Sequence, residues 1–235
     1  MEKSKESMLA HILVLEGIGD KERKKIAGQC QWRQFVAEEQ ILDRDSGSSD
    51  VYFVIDGEVR VVNYSMAGRE VQFASFRPGD YFGDLAAIDG LPRSASVNAV
   101  RDTTVAVIKG ADFLAMLQRN SSAAMHVLNR LALIVRACDD RIMDLSTLSA
   151  YQRVYVEILR RAKPDKVVPG QWIVRPYPPE REIASRAGTT RETVARAVSQ
   201  LRQAGLVLRK DRNLYIRDRD KIVALVENYR AAAIG

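Results

Sequence analysis

The stretch Phe82 to Val97, FGDLAAIDGLPRSASV, decides how this chain is read. A glycine and a carboxylate (Gly83, Asp84) stand at its front, an arginine and a hydroxyl (Arg93, Ser94) at its back, and small apolar residues such as Ala86 lie between. Gly83 and the alanines let a ligand come close to backbone N–H groups. Arg93 can fork onto two oxygens of an anion, and Ser94 adds a hydroxyl. The string therefore reads as a cradle for a small anion such as a phosphate. The plainer alternative is a β-turn followed by a buried corner with a surface arginine.

Outward from this stretch the chain is rich in short strand-like runs. QWRQFV, EQIL, VYFVI, EVRVVNY, EVQFASF, SVNAV and TVAVI are β-branched and aromatic segments separated by Asp, Gly and Pro. Ile55-Asp56-Gly57-Glu58 carries the sharpest hairpin signal, because Asp-Gly supplies the positive φ angles of a tight turn. Many short strands at regular spacing predict an antiparallel barrel or jelly roll, entered by the cradle through the turn Pro78-Gly79-Asp80. Residues 8 to 29 read as short helices packed on that roll.

Helical periodicity begins after a short helix around Asp112–Gln118. Leu128, Leu131, Val135, Cys138, Ile142 and Leu145 are spaced 3, 4, 3, 4, 3, which is the seam of a two-stranded coiled coil. The spacing predicts a dimerisation helix over Ser121–Thr147; one amphipathic helix packed on its own domain is the alternative. Tyr151 to Ala162 continues helical, and a proline-rich loop or small hairpin follows. In PPEREIASRAGTTRETVARAVSQLRQAGLV, a helix over Arg181–Ala187 is stopped by Gly188. A second begins after Thr189 or Thr190, either of which can cap it, and Thr189 with Glu192 fits a capping box. Ile183, Ala184, Val194, Val198 and Leu201 share an apolar face, while Arg191, Glu192, Thr193 and Arg196 project from the opposite side. This is the helix-turn-helix pattern, whose second helix reads base edges in the major groove. VLRKDRNLYIRD then reads as a basic two-stranded wing, and Asp220–Ala232 as a last helix with Ile222, Leu225, Val226 and Tyr229 on one face.

Composition agrees with this division of labour. The net charge is +6, but the residues from Ala150 onward hold 18 Lys and Arg against 9 Asp and Glu, leaving the remainder mildly acidic. A basic module beside an acidic one points to nucleic acid as partner. The two cysteines, Cys30 and Cys138, and the two histidines, His11 and His126, are too few and too scattered for a metal or cluster site, so no cofactor is expected. A polar N-terminus and the lack of any long apolar run predict a cytoplasmic protein with no membrane partner. There is no Walker loop, no HExxH and no nucleophile pair, so the chain is not expected to be an enzyme.

The string FGDLA with PRSASV resembles the phosphate-binding cassette of cyclic-nucleotide-binding domains. Together with the seam helix and TRETVAR in the second helix of the helix-turn-helix, the chain resembles the cyclic AMP receptor protein/fumarate-nitrate regulator (CRP/FNR) superfamily over essentially its whole length. The resemblance implies an α+β fold: a cyclic-nucleotide-binding β-roll (double-stranded β-helix or jelly roll) over 1–118, a dimerisation helix over 119–148 and a winged helix-turn-helix over 149–235. It implies that Gly83, Leu85, Ala86, Arg93, Ser94 and Ala95 surround a cyclic phosphate. Asp84 would accept the ribose 2′-OH, in place of a glutamate one methylene longer, and Val61, Phe73 and Phe76 would line the pocket. On the long helix Cys138 and Asp139 fall where family members place a threonine–serine pair against adenine. A carboxylate there can accept from guanine N1–H and N2–H₂ or from the adenine amine, so cyclic AMP and cyclic GMP both stay open as effector.

On the DNA side the resemblance implies that Arg191 and Arg196 donate to guanine O6 and N7, that Glu192 accepts from a cytosine amine, and that Thr190, Thr193 and Arg212 hold phosphates. A palindrome of TGTGA-like half-sites, a homodimer and RNA polymerase are the implied partners. A superfamily regulator with a different effector or none, and a regulatory subunit acting on a protein partner, are the alternatives.

Overall fold

The structure is a computed structural model that describes residues 5–66 and 70–232, with the side chains of 228–232 excepted. The chain begins with helix α1 (Lys5–Leu9), a 3-10 turn (Leu13–Leu15) and helix α2 (Asp20–Gln29). Strands β1 (Gln31–Phe35), β2 (Gln40–Leu42), β3 (Val51–Tyr64), β4 (Glu70–Phe76) and β5 (Tyr81–Phe82) lead into helix α3 (Asp84–Asp89). Strand β6 (Ser96–Ile108), helix α4 (Gly110–Arg119) and the 27-residue helix α5 (Ser121–Thr147) follow. Next come α6 (Ala150–Arg161), β7 (Lys163–Pro164), β8 (Trp172–Val174), α7 (Glu180–Ala187), α8 (Arg191–Gln203), β9 (Val207–Lys210), β10 (Asn213–Ile216) and α9 (Arg219–Ala232). Two compact units divide between Val135 and Arg136, inside α5.

In the first unit the strands form one antiparallel sheet in the order β1-β6-β3-β4, with β2 paired to β6 and β5 to β3. The expected strands VYFVI and EVRVVNY are a single strand, β3, as are SVNAV and TVAVI in β6. The Asp56-Gly57 pair is therefore not a hairpin. Pairing with β6 runs through it from Val51↔Ile108 to Val62↔Ser96, with register shifts on either side of Asp56. Gly57 has the expected positive φ, +98°, but spends it on a bulge that bends the strand; a Cβ there would overlap Thr103. Asp-Gly announces a left-handed backbone position, and turn and bulge both need one.

Bending the long strands gives the sheet two apolar faces. The roll interior packs Leu42, Tyr52, Val54, Val59, Phe82, Val97, Val105 and Val107. The other face packs Phe53, Ala106 and Ile108 beneath the N-terminal helices, whose Leu9, Ile12, Leu15 and Ile26 are fully buried, and beneath Ala123 and Val127 of α5.

The second unit pairs β7-β8-β10-β9 in an antiparallel sheet. Its helices α6, α7 and α8 bury Val154, Ile158, Ile183, Val194, Ala197 and Leu201 with Leu214, Ile216 and Ile222. Tyr229, expected on the face of the last helix, lies outside the described side chains. None of the described helices is long and apolar enough to cross a membrane.

Candidate functional site

The cassette is a turn, a short helix and a return strand. Gly83 caps α3 with φ +86°, and a Cβ there would come within 2.7 Å of the Asp50 carbonyl oxygen and 2.8 Å of Arg93 Nη1, so only glycine fits. Arg93 is 3% exposed and does not project toward solvent. Its Nη1 donates to the Gly83 carbonyl at 2.7 Å, its Nη2 to the Asp50 carbonyl at 2.7 Å and to Ser48 Oγ at 2.9 Å, and its Nε to Ser48 Oγ at 3.2 Å. The arginine expected to fork onto an anion thus holds the two ends of the cassette together through backbone carbonyls. Ser94 is exposed, Ala95 half-buried, Ala86 buried and Leu85 41% exposed.

Asp84, at the first turn of α3, is 4% exposed. Its Oδ1 lies 3.7 Å from Nη2 of Arg130, which reaches it from α5, and its Oδ2 has no hydrogen-bond partner. Burial pushes the Asp84 carboxyl above the usual carboxylate range, with the Arg130 charge, its own backbone N–H and the Arg93 charge pulling the other way. The Arg130 guanidinium lies 3.9 Å from the centre of the Tyr81 ring and 4.9 Å from that of Phe76. Phe76 stacks on Phe82 and Phe82 on Tyr52, with centroids 6.2 and 4.9 Å apart. Arg130 belongs to no motif in the sequence, and nothing short of the fold places it beside a carboxylate 46 residues away.

Of the three residues expected to line the pocket, Val61 and Phe76 pack against the roll interior. Phe73 does not. The β3–β4 register passes from Val61↔Ala74 to Val62↔Gln72, which leaves Phe73 as the extra residue of a bulge, 51% exposed. Gln72 is buried instead, with its Nε2 donating to Ser75 Oγ at 2.7 Å. Cys138 and Asp139 are exposed on α5, beyond the division between the units.

In the second unit α7 ends at Gly188, φ +61°, and α8 starts one residue after Thr190. Thr190 is the cap: its Oγ1 accepts from the Thr193 N–H at 3.3 Å. Thr189 is buried, and the capping box suggested for it does not form. The cap turns Thr193 inward to 9% exposure, with its hydroxyl 3.2 Å from that of Thr190, so Thr193 is not presented to a phosphate. Arg191, Glu192 and Arg196 are exposed, while Val194, Ala197, Val198 and Leu201 are buried beneath them. Hydrogen bonding to its own backbone N–H and to Thr190, with Arg191 and Arg196 nearby, holds Glu192 below the usual carboxylate range, so it is an ionised acceptor.

The turn between α7 and α8 is fixed by Arg153, which donates to the carbonyls of Ala187 at 2.8 Å and Gly188 at 3.3 Å, and also to that of Leu148 at 2.7 Å. No motif marks Arg153 for this role. Asp211 and Arg212 make the two-residue tip of the β9–β10 wing, with Arg212 exposed. Among the described residues no group of His, Cys, Asp and Glu could hold a metal ion.

The two units correspond to two known domain families. Residues 32–120 match the cyclic nucleotide-binding domain, and residues 152–225 the Crp-like helix-turn-helix domain. The protein is thus of the class that joins a nucleotide-binding roll to a DNA-reading helix pair. It is 32% identical over 157 residues to the Cyclic AMP receptor protein of Thermus thermophilus, which covers 67% of this chain and 70% of that one. Among solved structures it is similar to FixK2 from Bradyrhizobium japonicum, with 27% identity, a TM-score of 0.65, and 83% of this chain and 96% of that one covered. It also shares the fold of a CooA mutant from Carboxydothermus hydrogenoformans, with 19% identity, a TM-score of 0.74, and 85% and 88% covered. The chain belongs to the CRP/FNR family of transcription regulators, which are not enzymes.

Proposed function

We propose that the protein is a homodimeric transcription regulator whose affinity for a palindromic, TGTGA-like DNA site is set by cyclic AMP or cyclic GMP. The observation that carries this reading is the division of α8: Arg191, Glu192 and Arg196 are exposed on its first two turns, over a face buried against α7. Those three side chains suit guanine O6 and N7 and a cytosine amine, and Thr190 and Arg212 are exposed where phosphates would run. The effector reading rests on the cassette, where Asp84 Oδ2 is a buried acceptor lacking a donor. The name of the Thermus relative favours cyclic AMP. RNA polymerase is the further partner that membership of this regulator family suggests.

Titrating cyclic AMP and cyclic GMP into the full-length protein by calorimetry, while following its affinity for the palindrome and for a scrambled duplex, tests the whole reading. One nucleotide should bind and raise affinity for the palindrome at least about tenfold, a coupling of about 1.4 kcal/mol. Absence of binding to a well-folded dimer sinks the nucleotide part; equal affinity for both duplexes sinks the DNA part and favours a protein partner. A second reading, in which the effector is different or lacking, is supported by Arg93, four of whose five N–H donors already go to Gly83, Asp50 and Ser48. It expects tight palindrome binding that neither nucleotide changes.

The homodimer is proposed from α5. Of the six seam residues, Leu128, Val135, Ile142 and Leu145 are between 49% and 60% exposed and Cys138 is exposed, while Leu131 packs on the roll side. The exposed stripe also includes Ile134 and Leu133, so it is wider than a strict seam. In a parallel pair, residues at one seam position face their symmetry mates. Mild oxidation should therefore yield a Cys138–Cys138 linked dimer on a non-reducing gel, abolished by Cys138→Ser. Cys30 should not contribute, since burial and the nearby Asp112 charge push its thiol up to about 12. A sedimenting monomer with no cross-link would refute the pairing.

A further inference from the structure

Only Leu148 and Ser149 separate the end of α5 from the start of α6, and so short a joint leaves the direction of α5 open unless contacts cross it. Arg153, half-buried in the first turns of α6, crosses it. Its Nη1 donates to the Leu148 carbonyl at 2.7 Å, while Nε and Nη2 donate at 2.8 and 3.3 Å to the carbonyls of Ala187 and Gly188, where α7 ends. The last carbonyls of a helix have no partners within it and carry the negative end of its dipole. One guanidinium thus serves the C-terminal ends of two helices, which without it would meet negative end to negative end. The capping box of Ser149 and Gln152 fixes the start of α6, and with it the base from which Arg153 reaches. Neighbouring contacts hold the same arrangement. Asp144 of α5 pairs with Arg160 of α6 at 2.7 Å, and Arg141 Nη2 lies 3.5 Å from the Ser185 carbonyl. Leu145 sits so near Gly188 that a Cβ there would lie 3.1 Å from Leu145 Cδ2. All these residues belong to the second unit, and α8 begins at Arg191, just beyond Gly188.

We infer that Arg153 is a positioning residue for half-site spacing: by clamping the end of α5 to the α7–α8 turn, it fixes the direction of α8 relative to the long helix, and so the separation of half-sites that a pair of subunits accepts. The inference rests on the homodimer and DNA readings above and adds to them the residue that sets their common geometry. One extra base pair between half-sites turns the second by about 34° around the duplex. A clamped joint rejects that rotation, and a loose joint follows it. Base choice is a separate matter, because Arg191, Glu192 and Arg196 stand on α8, which packs on α7 through Val194, Ala197, Val198 and Leu201. A merely structural Arg153 would weaken binding to every duplex alike and leave the preferred spacing where it was.

The test measures DNA affinity of the full-length wild type, Arg153→Met and Arg153→Lys, with and without cyclic AMP. The duplexes are the palindrome, the same palindrome with its spacer one or two base pairs longer or shorter, a single half-site and a scrambled sequence. The wild type should bind each altered spacer at least about tenfold more weakly than the palindrome. Arg153→Met should bind the altered spacers to within about threefold of the palindrome and still prefer a single half-site to the scrambled duplex. Arg153→Lys keeps the charge at the helix ends but lacks the fork, and should fall between the two. Spacing dependence left intact in Arg153→Met overturns the inference, as does loss of half-site preference along with it. A wild type that ignores spacing while sedimenting as a dimer overturns it too. A wild type that sediments as a monomer overturns the dimer reading, and equal affinity for palindrome and scrambled duplex overturns the DNA reading, so each failure is told apart. Should Arg153→Met fail to fold, Arg153→Gln is read by the same ratios.

Discussion

Arg93→Leu is expected to destabilise the N-terminal unit by about 3 kcal/mol, taking two charge-assisted hydrogen bonds at about 1.5 kcal/mol each as the low end of their usual worth. The guanidinium donates to the carbonyls of Gly83 and Asp50 and twice to Ser48 Oγ, and it is 3% exposed. Leucine would fill part of that space while leaving the carbonyls facing an apolar group. Urea unfolding of wild type and variant, followed by a probe in the roll, should show the midpoint falling; an unchanged midpoint would mean that these carbonyls find water instead. Arg93→Leu is therefore not a clean way to remove a phosphate ligand, because loss of binding would be mixed with loss of fold. For Arg93 to engage a phosphate it must exchange neutral oxygens for charged ones, and binding would then loosen the contacts that join Asp50, Ser48 and Gly83.

Arg191→Ala is expected to cost about 1–3 kcal/mol of base discrimination in each half-site, and so about 2–6 kcal/mol across a palindrome bound by two subunits. Arg191 is the first residue of α8, exposed and not needed for the helix, whose cap is Thr190 and whose buried face is Val194, Ala197, Val198 and Leu201. The variant should keep its fold and lose specificity. The measurement is the ratio of affinities for the palindrome and a scrambled duplex at fixed salt, with Arg212→Ala as comparison. Replacing Arg212, at the tip of the wing, should weaken binding to both duplexes alike and lower the salt slope by about one unit for each phosphate that the side chain neutralises. An unchanged ratio in Arg191→Ala would remove that residue from base reading.

What can be read in advance follows the chemistry of single residues. Gly83, Gly188 and the apolar positions of α7 and α8 announce themselves because few other residues do what they do, and much of the fold class follows from them; the family follows from the resemblance carried by FGDLA, PRSASV and TRETVAR. Thr189 and Thr190 cannot be told apart in the sequence because both are hydroxyls at adjacent positions; the structure buries Thr189 and leaves Thr190 to cap. Gly57 shows the limit more sharply. Its positive φ is legible, but turn or bulge depends on whether β6 continues alongside, and that is a long-range fact. The bulge at Phe73 likewise exists only in the pairing of β3 with β4. Arg93 is expected to face a ligand because arginine beside serine suits phosphate. Its actual acceptors are backbone carbonyls, which look the same in every residue. Arg130 and Arg153 escape a sequence reading for the same reason, since one meets a carboxylate far away along the chain and the other meets only carbonyls.

The bent strand β3 has a consequence for how the protein reaches its native state. Its ladder with β6 joins residues as distant along the chain as Val51 and Ile108, and the register has to be set across the bulge at Gly57 before the interior can close. Loops of that length are entropically costly to close, and folds dominated by such pairings form slowly. The second unit has a local start in the β9–β10 ribbon and the α7–α8 pair, but its sheet also needs β8 to meet β10 across Leu214↔Val174. On a nascent chain that ribbon and helix pair can therefore form early, while the sheet of each unit waits for its long-range pairing.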